Sequence, residues 1–305
     1  MTMQEPLLGG AVTAGGLHGT YLPPEHDLAG EAGGLRATRG RAVEPIVVRG
    51  SVAAQGSSGG AAPDPWPSWA RAQLLEAVAV VGRVADRGGI AGLLYREWFN
   101  PKIDGVDGPR LRRPLAGIYR NAHAGSSLRT SRDGVLVIDR HDVIGADGWW
   151  RTWGESWTPP RTRPGSVRVL FTPRPDRLAE FVRTVTTSLG GSTAPWTLAC
   201  ATHPRRVRRL AAAVLDLPTL DALPAPLLDD LAPLLLPVRP PLCQPIAAGA
   251  AVAAYPDNGM TFGEHRCHLI ALALRHAGND SDPLHAIATV FAAHGIDPAT
   301  PHRAN

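Results

Sequence analysis

The sequence predicts an α+β fold: a single domain with a mixed or antiparallel sheet and flanking helices, behind a disordered N-terminal tail. Three observations carry that expectation. Residues 1–64 are Gly-rich and almost without periodic apolar signal, with clusters such as Gln55-Gly56-Ser57-Ser58-Gly59-Gly60. Beyond them, short apolar runs rich in β-branched residues alternate irregularly with apolar residues at helical spacing. No repeat of 20–50 residues is visible, which excludes a solenoid or propeller. The boundaries that follow are a tail at 1–64 and one domain at 65–305.

The tail cannot bury enough apolar surface to offset its ordering entropy. Within it only Pro45-Ile46-Val47-Val48-Arg49 reads as a short strand. Order starts at Asp64-Pro65-Trp66-Pro67-Ser68-Trp69. Ser68 is the N-cap candidate of a helix carrying Leu74, Leu75, Val78 and Val81, stopped by Gly88-Gly89. A second helix covers Leu93-Leu94-Tyr95-Arg96-Glu97-Trp98-Phe99, and residues 100–114 read as loop.

A β-rich region follows, with strands over residues 134–140 and 147–153. The tryptophans from Trp149 to Trp157 have the look of a stacking platform, but indole rings are usually core or interface material. Ser166-Val167-Arg168-Val169-Leu170-Phe171-Thr172 is a strand. Pro175-Asp176 precedes a helix with Leu178, Phe181, Val182, Val185 and Leu189, ended by Gly190-Gly191. Strands are predicted again at 196–201 and 213–218, helical segments at 219–236, and terminal helices at 267–275 and 284–293 with Asp282-Pro283 opening the last.

Composition narrows the function classes. The net charge is +4 and the pI about 9.3, carried almost wholly by arginine; Lys102 is the only lysine. No basic run is interleaved with stacking aromatics, so nucleic acid is not an expected partner. Cys200, Cys243 and Cys267 are widely spaced and none forms a Cys-x-x-Cys pair, which argues against a disulfide framework or a zinc ribbon and fits a reducing cytoplasm. No run approaches the ~18 apolar residues of a membrane helix; residues 227–238 come nearest and are broken by Asp229, Asp230, Pro233 and Pro237. A cytoplasmic location, no cofactor and no metal are expected. The phosphate loop, His-Glu-x-x-His and Gly-x-Ser-x-Gly patterns do not occur.

The most informative stretch is Asp257-Asn258-Gly259-Met260-Thr261-Phe262-Gly263-Glu264-His265-Arg266-Cys267. Thr261 and Glu264 have capping-box spacing, which puts His265 and Arg266 in the first turn of a helix. Cations are disfavoured there, so an anion such as phosphate at the helix start is one reading of Arg266. A solvated arginine beside a packed surface histidine is the other, and both stay open.

This stretch ends a longer frame: Pro237, Pro240, Pro241-Leu242, Gln244-Pro245, Ile246-Ala247, Gly249, Ala253, Pro256, Thr261-Phe262-Gly263 and His265-Arg266-Cys267. The frame resembles the C-terminal signature of the HopA-type effector family. A similar domain is the lyase-like component of class V lanthipeptide synthetases and related thioamide-peptide pathways. The likeness covers roughly residues 166–277 and is weaker over 93–164.

That resemblance implies elimination of phosphate from phosphoserine or phosphothreonine in a precursor peptide, in a ribosomal-peptide (RiPP) pathway with a kinase-like protein partner. It assigns phosphate contacts to Arg168, Arg208, Arg209 and Arg266. The chemistry needs a base for the Cα proton and a donor for the leaving phosphate. Where the family carries lysine this chain has Ala199, which leaves His203 and His265 as the catalytic candidates. The family's acidic and tyrosine positions fall on Ala211 and Asp216, and Thr172 stands where Asn or His is common. The implied function is a lyase, or a catalytically impaired scaffold that grips the kinase-like protein and the precursor.

Overall fold

A computed structural model describes residues 64–83, 89–106, 114–124, 127–130, 136–139, 142–154, 167–254, 260–277 and 282–303. The expected tail up to residue 63, the strand at 45–49 within it and Trp157 lie outside these residues. Among the described residues the domain is α+β, with a seven-stranded sheet in which every pairing is antiparallel.

Helix α1 (Ser68–Gly82) begins one residue earlier than a Ser68 cap requires. Pro67 occupies the cap position without a side-chain bond, and the helix stops at Gly82, ahead of the expected glycine pair. Helix α2 (Ile90–Leu94) continues directly into a π turn, Tyr95–Phe99. Helix α3 (Leu115–Ala122) follows. Strands β1 (Ser127–Thr130) and β2 (Leu136–Asp139) form a separate antiparallel pair.

The main sheet contains β3 (Asp142–Ile144), β4 (Trp149–Trp153), β5 (Val167–Phe171), β6 (Thr197–Ala201), β7 (Ala213–Leu217), β8 (Gln244–Ala247) and β9 (Ala250–Ala254). Their spatial order is β3-β4-β6-β7-β5-β9-β8. Helix α4 (Leu178–Leu189) crosses between β5 and β6, α5 (Leu227–Leu231) follows β7, and α6 (Phe262–His276) and α7 (Pro283–Ala293) close the described chain.

Register sorts the side chains onto two unlike faces. Trp150, Thr152, Leu198, Cys200, Leu215 and Phe171 share one face, and each is fully buried. Helices α3 and α4 cover it: Tyr119 packs on Trp150 at 5.4 Å and Phe181 on Phe171 at 5.5 Å between ring centroids. Each large apolar side chain sequestered this way contributes roughly 1.5–3 kcal/mol. The second face carries Arg151, Ala199, Thr197, Asp216 and Arg168, all only partly buried. The first face is core, whereas the second sets these part-buried polar groups among buried Leu170, Ala201, Val214, Ala251 and Ala253.

The β8–β9 hairpin was not foreseen, because its Ala-Ala-Val-Ala-Ala strand is buried on both faces and shows no alternation. Gly249 makes its turn at φ +74°, where a side chain would collide with the Leu236 carbonyl. The tryptophans follow the core reading where they are described: Trp149 and Trp150 are buried and Trp153 is half-buried. No helix among the described residues is long and apolar enough to cross a membrane.

Candidate functional site: an arginine-lined cleft

At one end of the second face, beyond Ala201 and Trp149, the chain from Thr202 to Ala212 folds into turns instead of extending the strands. The α2–π-turn unit stands opposite. Between them lies a cleft of about 520 Å³. Four guanidinium groups line it: Arg96 from the π turn, and Arg205, Arg206 and Arg209 from the turn segment. Local bonds hold the wall in place. Arg209 Nη1 donates to the Asn100 carbonyl at 2.7 Å, and Arg206 Nη1 to the Asp147 carbonyl at 2.7 Å. Arg96 and Arg205 are exposed.

The two carboxylates in the lining are already engaged. Asp147 pairs with Arg151, which donates from Nη1 at 3.1 Å, and Glu264 Oε2 accepts from the Thr261 amide at 2.9 Å. The field inside the cleft is therefore positive. Trp149 adds an indole N–H that is buried and without a partner among the described residues. Ala211, also in the wall, holds φ at 51°, a left-handed conformation that costs a non-glycine residue roughly 1–2 kcal/mol.

Of the phosphate-binding and catalytic candidates singled out in the sequence, Arg209 and His203 line this cleft, together with Ala211 and Glu264. His203 is exposed, and its Nδ1 accepts from the Arg205 amide at 3.2 Å. Arg208 turns the other way: its Nε donates to the Val106 carbonyl at 2.9 Å, and its own carbonyl accepts from Ile103 N at 2.8 Å. Arg168 shares the sheet face but sits level with Thr197, four residues along β6 from Ala201, or roughly 13 Å. There its Nε donates to Asp216 Oδ1 at 2.8 Å in a cross-strand ion pair. Ala199 lies between these two ends, flanked across the sheet by Arg151 and Val214. Thr172 is fully buried.

Arg266 answers the sequence argument in an unexpected way. The capping box forms as predicted, with Thr261 Oγ1 accepting from Glu264 N at 3.2 Å. Yet Arg266 is only 2 % exposed and is clasped by the C-terminal segment. Its Nε donates to the Pro301 carbonyl at 2.9 Å and its Nη2 to the Arg303 carbonyl at 2.7 Å, while its guanidinium lies 4.6 Å from the Phe262 ring centroid. Carbonyl dipoles and an aromatic face supply the compensation for which an anion was expected. Burial pulls its pKa down to about 10. His265 is half-buried, with Nδ1 2.9 Å from Arg266 Nη1. Burial first, and the Arg266 charge second, lower its pKa to about 4, so its ring is neutral at physiological pH.

The cleft residues that sequence reasoning did not assign to a site are Arg96, Arg205, Arg206 and Trp149. Arg96 lies more than a hundred positions from the turn segment, and no spacing rule joins them.

The comparisons accord with this architecture. The chain is similar in structure to the effector protein from Pseudomonas syringae pv. tomato strain DC3000, with a TM-score of 0.52 and 14% identity over 77% of this chain and 97% of that one. An effector protein from Pseudomonas syringae pv. syringae strain 61 is similar at a TM-score of 0.49 and 15% identity, over 78% of this chain and 98% of the other. No curated protein matches the sequence. Residues 152–303 match the model of the HopA1 effector protein family.

Proposed function

We propose that this protein binds a phosphoserine- or phosphothreonine-bearing precursor peptide, with the phosphate in the arginine cleft, as the lyase-like component of a lanthipeptide-type (RiPP) synthetase working beside a kinase-like partner. The observation that carries the binding is the meeting of four guanidinium groups in one cleft whose carboxylates are both engaged. The pathway rests on the resemblance of the C-terminal signature.

In the elimination a base removes the Cα proton, the Cα=Cβ bond forms, and the Cβ–O bond breaks with its electron pair leaving on phosphate. The cleft suits the second half of that reaction. Fixed guanidinium groups stabilise charge as it builds on the leaving group. With Nδ1 accepting from the Arg205 amide, the His203 ring carries a proton on Nε2, which makes it a donor to the departing oxygen.

The first half is less well served, and this supports the second reading, a catalytically impaired scaffold that grips the precursor and the kinase-like protein. Ala199 stands at the expected base position, and none of the cleft-lining residues is lysine.

The test is a titration of the full chain with a phosphothreonine peptide and its unphosphorylated twin, with phosphate release followed in the same samples. Phosphate-dependent binding, weakened about tenfold or more by Arg205→Ala, supports the cleft. Equal affinity for the two peptides overturns it. Release well above the peptide's spontaneous rate marks the lyase, and binding without release marks the scaffold.

A further inference from the structure

We infer that a second cavity, next to the arginine cleft, receives an apolar side chain of the same peptide within a few residues of the phosphorylated one; this rests on the cleft reading above. The cavity measures about 450 Å³. Its walls include Trp98, Ile103, Leu210, Pro237 and Pro241, with Val238 at its edge. Trp98 is fixed by donating its indole N–H to the Gln73 carbonyl at 3.0 Å. Val238 is 37% exposed, so apolar surface stands in water at this edge.

What separates the two cavities is narrow. Lys102 and Arg209 form an antiparallel β-bridge, and Ile103 N donates to the Arg208 carbonyl at 2.8 Å. On this ridge Asn100 and Arg209 line the cleft, whereas Lys102 and Ile103 line the second cavity. Leu210 belongs to both linings. An extended peptide advances about 3.3–3.6 Å per residue, so a few residues carry it over a ridge made of this bridge and the Leu210 side chain.

Charge points to the same occupant. Lys102 and Arg239 face a single carboxylate, Glu76, in the second lining, so the positive field of the cleft continues along the route of an anionic peptide. An aromatic floor between proline walls loses little side-chain entropy when a ligand docks, which favours a single apolar anchor.

The experiment uses the full chain and labelled phosphothreonine peptides in which one leucine is moved through the flanking positions of a serine background, read by fluorescence anisotropy. Leucine at one or two positions should tighten Kd roughly 10–100-fold, the effect of burying one side chain of that size. Val238→Asp, a substitution at an exposed site, should abolish this gain and leave the all-serine phosphopeptide within about twofold. No leucine gain, or a gain that survives Val238→Asp, overturns the inference. The two readings fail differently. Phosphate dependence without a leucine effect removes the second cavity alone, whereas a leucine effect without phosphate dependence removes the cleft reading.

Discussion

Replacing Arg266 by alanine is the perturbation whose size the structure fixes best. The side chain makes two charge-assisted bonds to backbone carbonyls of the C-terminal segment, at 2.9 and 2.7 Å, and faces the Phe262 ring. Hydrogen bonds to charged groups contribute roughly 1.5–3 kcal/mol each, and the truncation leaves the buried Pro301 carbonyl and the part-buried Arg303 carbonyl without this donor. The expected loss is about 3–5 kcal/mol, or roughly 6–20 °C in Tm at about 2–4 °C per kcal/mol for a domain of this size. Arg266→Lys keeps the charge but not the planar fork, and should fall between parent and alanine. Truncation after Thr300 removes the same carbonyls, so combining it with Arg266→Ala should cost clearly less than the two losses added. Urea and thermal unfolding give the stabilities, and phosphopeptide affinity is read well below the transition. Affinity should stay within about twofold of the parent. A variant that melts with the parent yet loses tenfold in phosphopeptide binding would refute the clasp and return Arg266 to the phosphate.

Ala199→Lys places an ammonium on the open sheet face between Arg151 and Val214, one strand row from the cleft. If a missing base limits elimination, phosphate release from a phosphothreonine peptide should rise at least about tenfold, given that general-base help typically contributes about 10²–10⁴-fold; an unchanged rate would mean that position 199 does not reach the Cα proton. Acid should destabilise the fold. Because His265 has its pKa lowered to about 4, the folded state binds fewer protons than the unfolded one, and stability present above about pH 6.5 is lost as the pH falls towards 4. His268 and His302 are shifted in the same direction, chiefly by burial. Urea midpoints across that window should fall with pH, and less steeply in His265→Gln; a flat profile in the parent would contradict the shifts.

The elements legible in the sequence are those whose burial is one-sided. Helix α4 shows its apolar stripe from Leu178 to Leu189, and β5 ends at a buried Phe171 after a partly buried Arg168. The α6 start was readable because a capping box is local chemistry, complete within four residues. Strand β9 was not, since alanine buried on both faces leaves no periodic trace, and its strand state comes from pairing with β5 and β8. Short α3, with Gly117 inside it, gave no helical stripe long enough to mark it.

The site was half legible for a related reason. The run from Arg205 to Arg209 announces positive charge, but only the folded turn separates Arg208, which braces the Val106 loop, from Arg205, Arg206 and Arg209 in the cleft wall. Arg266 stood out as a cation in the first turn of a helix, where an anion would compensate it, and Arg168 was assigned by the family resemblance; each has a partner within the fold. The fold supplies that partner internally: the Asp216 carboxylate for Arg168, and the Pro301 and Arg303 carbonyls for Arg266. The clearest local signals of anion binding thus belong to arginines compensated within the protein. The positive field left for a ligand comes from residues such as Arg96 and Arg205, which are exposed, look ordinary in sequence, and gain meaning only where the π turn meets the turn segment.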